Sequence, residues 1–265
     1  MPIEQTRVRD LSFGDYTRRQ EEEVSVAGIL KRAAIAKPAG NFHYQGNKWM
    51  PLGYKGSAVL SMVDANQGNE GLSFRLSALQ DELRVYLLPP TYYMLPAASF
   101  HQTIANMVSA ERYRQAILDR GLEKEYPAIV GDVFAQLPSS VTAPPVSMRL
   151  LGLSIFGTSL GLLGSFEKEE DYDRVIRFRS LFYGNPRLAA LDIGLTRPFI
   201  GHITLAYIEQ ELSIVEKEHL ARVVNGINEM IRPKNYSFSL STTGLYRYDH
   251  LAAFYREDTW PQYQL

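Results

Sequence analysis

The chain has 265 residues, 45% of them hydrophobic, enough to bury a substantial core in one bilobal domain or two small ones. Its 28 basic and 29 acidic residues leave a net charge of −1, so no global field draws it toward nucleic acid or an anionic membrane, although a local basic groove is compatible with that balance. The absence of cysteine excludes disulfides, thiolate metal sites and cysteine nucleophiles together.

The opening "MPIEQTRVRD" and the following "RRQEEEV" lack the apolar core of a signal peptide, and no segment approaches the roughly 20 apolar residues of a membrane helix. The expectation is a cytoplasmic, monomeric protein without a membrane partner. Residues 1–20 read as polar and irregular. The stretch "EEEVSVAGILKRAAIA" then carries apolar residues at helical spacing and stops before Lys37-Pro38. Glycines and aromatics alternate in "NFHYQGNKWMPLGYKG", which predicts an ordered loop that packs its rings. Residues 1–56 are therefore taken as an N-terminal extension and 57–265 as the main domain.

Strands are predicted at "SAVLSMV", "ELRVYLL" and "ASFHQTI". The segment "SAERYRQAILDRG" has a serine to start a helix and a glycine to end it, and "VSMRLLGLSIFGTSLGLLGSF" reads as two strands. A connecting helix is expected over "EKEEDYDRVIRFRSLF". The run "PFIGHITLAYI" is a further strand, and "SIVEKEHLARVVNGINEMIR" opens with the Ser213-to-Glu216 spacing of a capping box. Two more strand-like runs follow in "YSFSLSTTGLYRYDHLAAFY". A unit of strand, helix and antiparallel pair thus occurs twice, which predicts an α+β fold of two pseudo-symmetric lobes with a cleft between them.

Each unit opens with a histidine followed two residues later by a threonine: His101 and Thr103, then His202 and Thr204. Side chains at i and i+2 of a strand share a face, so each imidazole stands beside a hydroxyl while Gln102 and Ile203 turn away. Paired lobes would bring both sets to one point. Two imidazoles suit displacement at phosphorus, one removing a proton from the nucleophile and the other giving one to the leaving oxygen. The threonine hydroxyls can hold the non-bridging oxygens, and no metal or cofactor is required.

The segments "FHQTI" and "GHITL", in the context "RPFIGHITLAYI", resemble the two-histidine (2H) phosphoesterase superfamily, which includes the 2′-5′ RNA ligase-like and cyclic phosphodiesterase proteins. Its pattern is an apolar residue, His, any residue, Thr or Ser, and an apolar residue, present twice. The resemblance runs from about Ser57 to the C-terminus. It implies a bilobal fold, metal-independent chemistry on 2′,3′-cyclic phosphates or 2′-5′ linked nucleotides and RNA ends, catalysis by His101 and His202, and phosphate contacts from Thr103 and Thr204. In relatives that open cyclic phosphates the first histidine is usually the acid and the second the base, an order the residues themselves leave open. The N-terminal extension and a long insert between Leu122 and Pro145 depart from the pattern and bear on which substrate fits.

Other residues carry alternatives. A histidine on a strand can simply be hydrogen-bonded to a neighbour, and a phosphate-gripping module would keep the same cleft without turnover. "GTSLG" around Ser159 matches the G-x-S-x-G nucleophile elbow, with Asp192 and His202 or Asp249 and His250 following in the right order. An elbow needs a helix after the serine, however, and "LGLLGSF" reads as a strand. His219 lies among charges in mid-helix, and His43 and His250 sit in aromatic surroundings. Arg149, Arg197 and Arg247 are candidate phosphate partners, and Tyr246, with Tyr92, Tyr93 and Tyr248, is a candidate to line the cleft and stack on a base.

Overall fold

The computed structural model describes residues 8–138 and 144–265. The first residues of the expected extension and part of the insert after Leu122 lie outside them. Residues 21–36 suggest one helix, but the chain builds two, α1 (Phe13–Glu23) and α2 (Val26–Ala34). Ser12 accepts a hydrogen bond from Asp15 N and Ser25 from Gly28 N, so each serine starts a helix of its own. The aromatic stretch is a hairpin rather than a loop, β1 (Phe42–Gln45) and β2 (Lys48–Pro51). Gly46 and Asn47 at its tip have φ of 57° and 60°, the left-handed pair that a two-residue turn requires.

Next come β3 (Gly56–Met62) and α3 (Leu72–Arg84). The strand expected at 82–88 is instead the end of this helix and the turn after it. Leu72, Leu76, Leu79 and Leu83 recur at helical spacing and are buried, and that periodicity overrides the short β-like run "VYLL". The chain continues through β4 (Tyr92–Met94), β5 (His101–Ser109), α4 (Ala110–Tyr113), a π-helical turn at Arg114–Leu118 and α5 (Tyr126–Ala135). The hairpin β6 (Val146–Ile155) and β7 (Ser159–Phe166) leads to α6 (Glu169–Tyr183), α7 (Pro186–Ala189) and β8 (His202–Ile208). Both halves of the expected capping box are formed at Ser213 and Glu216, at the start of α8 (Ile214–Ile231). The chain ends in β9 (Ser237–Leu240), β10 (Thr242–His250), β11 (Ala253–Tyr255) and β12 (Gln262–Gln264). Among the described residues no helix is long and apolar enough to cross a membrane.

Ten strands form one antiparallel sheet in the order β11-β10-β3-β5-β8-β7-β6-β9, with β12 on β10 and β4 on β8. The fold is α+β and two-lobed. One lobe is centred on β3 and β5, the other on β8 and β7, and between them β5 and β8 share a single register pair, Gln102↔Ile203. The lobes do not follow the repeat as the sequence suggests. The pair β6–β7 attaches to β8, whereas β9 and β10 do not pair with each other: β9 lies on β6 and β10 on β3. Only Ser241 separates β9 from β10, although they stand near opposite ends of the strand order, so the sheet must curl until those ends are neighbours. Asn66 holds the crossing, its Oδ1 accepting from Ser241 N and Thr242 N at 2.8 Å each.

The N-terminal helices belong to this body. Tyr16 Oη donates to Gly164 O at 2.9 Å, and Gln20 Nε2 donates to Gly164 O and Gly201 O at 2.7 and 3.1 Å. Arg179 of α6, only 2% exposed, pairs with Asp10 at 3.0 Å and donates to Ile104 O at 2.6 Å and Arg197 O at 3.0 Å. Asp10 also accepts from Phe199 N at 2.6 Å. One guanidinium thus joins the N-terminal segment, the motif strand β5 and the approach to β8.

Removing one partner of a buried ion pair leaves the other charge without compensation. Arg179→Met is expected to lower unfolding free energy by about 3–5 kcal/mol, read from urea denaturation. A loss under about 1 kcal/mol would show that the pair does not secure the two segments.

Candidate active site

Exposure along both motif strands alternates. In β5, His101 and Thr103 are half-buried while Gln102 and Ile104 are buried; in β8, His202 and Thr204 are half-buried while Ile203 and Leu205 are buried. The pair Gln102↔Ile203 fixes how the two motifs meet. In an antiparallel ladder it puts His101 opposite Thr204 and Thr103 opposite His202, on the face away from Gln102 and Ile203. The four side chains therefore share one face of the sheet at the seam between the lobes.

Gln102 holds that register from the other face. Its Nε2 donates to Thr103 O at 2.8 Å and Ile200 O at 3.1 Å, and its Oε1 accepts from His202 N at 2.6 Å. Both imidazoles are anchored alike. His101 Nδ1 lies 2.7 Å from Ser99 O and His202 Nδ1 lies 3.1 Å from Ile200 O, in each case the carbonyl two residues back. A carbonyl only accepts, so each Nδ1 carries the proton and each Nε2 keeps its lone pair. An aromatic ring backs each imidazole: Phe254 edge-on to His101 with centroids 4.4 Å apart, and Phe156 tilted against His202 at 4.7 Å.

Burial pushes both imidazoles down to about 4, against the partial support of the Ser99 and Ile200 carbonyls. Beyond burial, Arg197, His101 and Arg19 disfavour the charged form of His202. Both rings are accordingly neutral at pH 7 in the ligand-free protein.

His202 and Thr204 line a cleft of about 510 Å³ together with Phe156, Ser159, Arg197, Tyr207, Tyr54 and Leu251. Tyr54 and Leu251 pack on the β3–β10 side, so the cleft spans the lobes. Its lining does not include His101 or Thr103, which sit beside it on the neighbouring strand. Arg19, Gln20, Glu23 and Arg32 of the N-terminal helices complete the wall, a contribution that no local motif signals.

The other candidates fall in varied places. Arg197 lines the cleft and donates to Asn106 Oδ1 at 2.9 Å. Arg149 does not: it is exposed on β6, paired with Ser165 and Ser237. Tyr246 is also outside the lining. It is 8% exposed and packed with Ala58, Leu60 and Tyr248 in a small cluster, from which Tyr54 and Leu251 reach the cleft in its stead. Tyr93 stacks on Phe42 at 3.8 Å, Tyr92 is buried, and Arg247 pairs with Glu123 at 3.2 Å. Ser159 borders the cleft but begins strand β7 opposite Tyr207, so the helix of a nucleophile elbow is missing at that serine. His219 is exposed on α8 and His43 on β1, while His250 Nδ1 accepts from Ala252 N at 3.2 Å in a turn. Among the described residues no group of three or more His, Asp or Glu is placed to hold a metal ion.

No family model and no curated protein matches the chain. Solved structures do. A conserved protein of unknown function, ATU0111 from Agrobacterium tumefaciens, is 18% identical over 89% of this chain and 96% of its own, with a TM-score of 0.56. A phosphoesterase is 13% identical over 80% of this chain and 98% of its own, at a TM-score of 0.47. E. coli LigT complexed with 3′-AMP is 12% identical over 80% and 95%, at 0.45. The first of these shows that the two-lobed arrangement is shared, as a fold, across most of both chains.

The depressed histidines carry a linkage consequence. Unfolded imidazoles titrate near 6.5 and the folded ones near 4, so between those values the unfolded chain binds more protons. Their contribution to stability is complete above about pH 6.5 and is lost as pH falls toward 4. The urea midpoint is expected to drop over that window, and less steeply when His101→Gln and His202→Gln are combined. Equal slopes in both proteins would mean that the rings are not desolvated.

Proposed function

We propose that this chain is a metal-independent phosphodiesterase acting on 2′,3′-cyclic phosphates or on 2′-5′ linked nucleotides and RNA ends. His101 and His202 form its acid-base pair, and Thr103 and Thr204 hold the phosphate. Residues 57–265 are taken as the catalytic domain and residues 1–56 as an extension that supplies one wall of its cleft. The observation that carries the reading is the Gln102↔Ile203 register pair, which sets two imidazoles and two hydroxyls on one sheet face. The resemblance of both segments to the two-histidine pattern supports it.

In the hydrolytic step one Nε2 removes a proton from water as its oxygen bonds to phosphorus. The phosphorus–oxygen bond to the leaving group breaks, and the second, protonated imidazole gives its proton to the departing oxygen. Each threonine hydroxyl donates to a non-bridging oxygen. One ring must be charged for this, yet burial holds both near 4. The anionic phosphate opposes that burial, since an opposite charge within about 4–6 Å favours the protonated form. Arg197 and Arg19 disfavour protonation of His202, which supports His202 as base and His101 as acid.

Purified protein incubated with 2′,3′-cyclic nucleotides in chelator is expected to open the ring, and His101→Ala or His202→Ala to slow turnover by about 10² or more. Binding without turnover would indicate a phosphate-gripping module. Because kcat/KM reports the free enzyme and kcat the complex, kcat/KM should fall with rising pH from a lower value than kcat does. Coincident profiles, or near wild-type rates in His202→Ala, would overturn the assignment.

A further inference from the structure

The wall that the N-terminal helices give the cleft is charged in a particular way. Three arginines and one glutamate line the cleft, leaving an excess of positive charge beside His202. The glutamate is already engaged: Arg32 Nε donates to Glu23 Oε2 at 2.5 Å, and Arg32 Nη2 binds the other carboxylate oxygen. Arg18, the neighbour of Arg19, is held by Asp15 outside the cleft. Among the described residues neither Arg19 nor Arg197 pairs with a carboxylate, and the one side-chain partner of Arg197 is the neutral Asn106. Both line the same cleft as His202.

Two guanidinium groups on one concave surface repel each other unless an anion lies between them. The hydroxyls and imidazoles of the motifs account for one phosphate, the scissile one. Arg19 and Arg197 add to that set from outside the motifs, from α1 and from the segment before β8. A second feature points to a ligand at the same wall. Gln20 is buried and lines the cleft, its Nε2 is spent on two backbone carbonyls, and its Oε1 is buried without a partner among the described residues. That oxygen accepts, so it suits a hydroxyl or amine of a ligand whose anionic group the arginines hold.

We infer that Arg19, with Arg197, forms a subsite for a second phosphate, so that the preferred substrate is a nucleotide or oligonucleotide bearing a phosphate beyond the one that reacts. This rests on the phosphoester reading of the same cleft. Planar guanidinium forks match phosphate oxygens in geometry and in charge. The extension then selects substrate through Arg19, while the motifs act on whichever phosphodiester is presented.

Binding of two probes separates this from the catalytic assignment. Adenosine 2′,5′-bisphosphate and adenosine 2′-monophosphate are titrated into the full chain by calorimetry at low and moderate salt. Wild type is expected to prefer the bisphosphate by about tenfold or more, the scale of one charge-assisted contact pair. Arg19→Gln should bring that ratio close to one, and Arg19→Lys should restore part of it. His202→Ala should lose turnover of cyclic nucleotides yet keep the bisphosphate preference. Equal binding of the probes by wild type, failure of wild type to bind either, or an unchanged ratio in a folded Arg19→Gln protein would overturn the subsite. A preference that depends on Arg19 in a protein without turnover would uphold the subsite and defeat the enzymatic reading.

Discussion

The two lobes meet where β5 and β8 share one register pair, whereas β3 and β5 share six and β7 and β8 share five. Main-chain hydrogen bonds alone give such a seam little resistance to sliding, and a slip of one residue would put the two histidines on opposite faces. Side chains supply what the ladder lacks. Gln102 bridges to the backbone at Ile200 and His202, and Arg179 binds carbonyls of Ile104 and Arg197 on either side of the seam. These are buried groups whose hydrogen bonds water cannot replace, so they define one register rather than a range of them.

Close approach at the seam also depends on small residues. A side-chain carbon at Gly201 would lie 2.6 Å from Tyr16 Oη and 2.7 Å from Gly164 O, and against Met148 Cε. The last of these atoms can move and the carbonyl cannot. Gly201 therefore lets α1 dock next to His202, and Gln20 bonds across Gly164 and Gly201 at that point. Through this contact the N-terminal helices, outside the motif-bearing part of the chain, come to form a wall of the cleft.

What could be read from the sequence was what depends on neighbours along the chain. Alternation in "FHQTI" and "GHITL" gave the faces of the histidines, and the Ser213–Glu216 spacing gave the start of α8. Signals of the same local kind also run against the expected loop and strand: the Gly46-Asn47 turn marks a hairpin, and the leucines from Leu72 to Leu83 mark a helix. Strand partnership was illegible for a different reason. Whether β10 joins β9 or β3 is decided by curl and burial far away in the sequence, and the same distance hides Gln102, Phe156 and Phe254, whose positions depend on which strand and turn come to face each motif. Arg149 and Arg197 are alike as residues, yet only the docking of the elements separates an exposed strand position from a cleft wall.

The exchange of strands between lobes explains why the two imidazoles have such similar surroundings. Each begins a strand, is tied through Nδ1 to the carbonyl two residues back, and faces a phenylalanine. Phe156 comes from the β6–β7 turn, and Phe254 from β11 at the end of the β10–β11 turn. Equivalent frames give both rings the same depressed affinity for protons, and a symmetric pair has no preferred direction for proton transfer. A difference must come from groups outside the repeat. Arg197, from the segment before β8, and Arg19, from the extension, both disfavour the charged form of His202, whereas among the described residues no cation acts likewise on His101. If the two rings act as the proposed acid and base, the unrepeated parts of the chain are what distinguish one from the other.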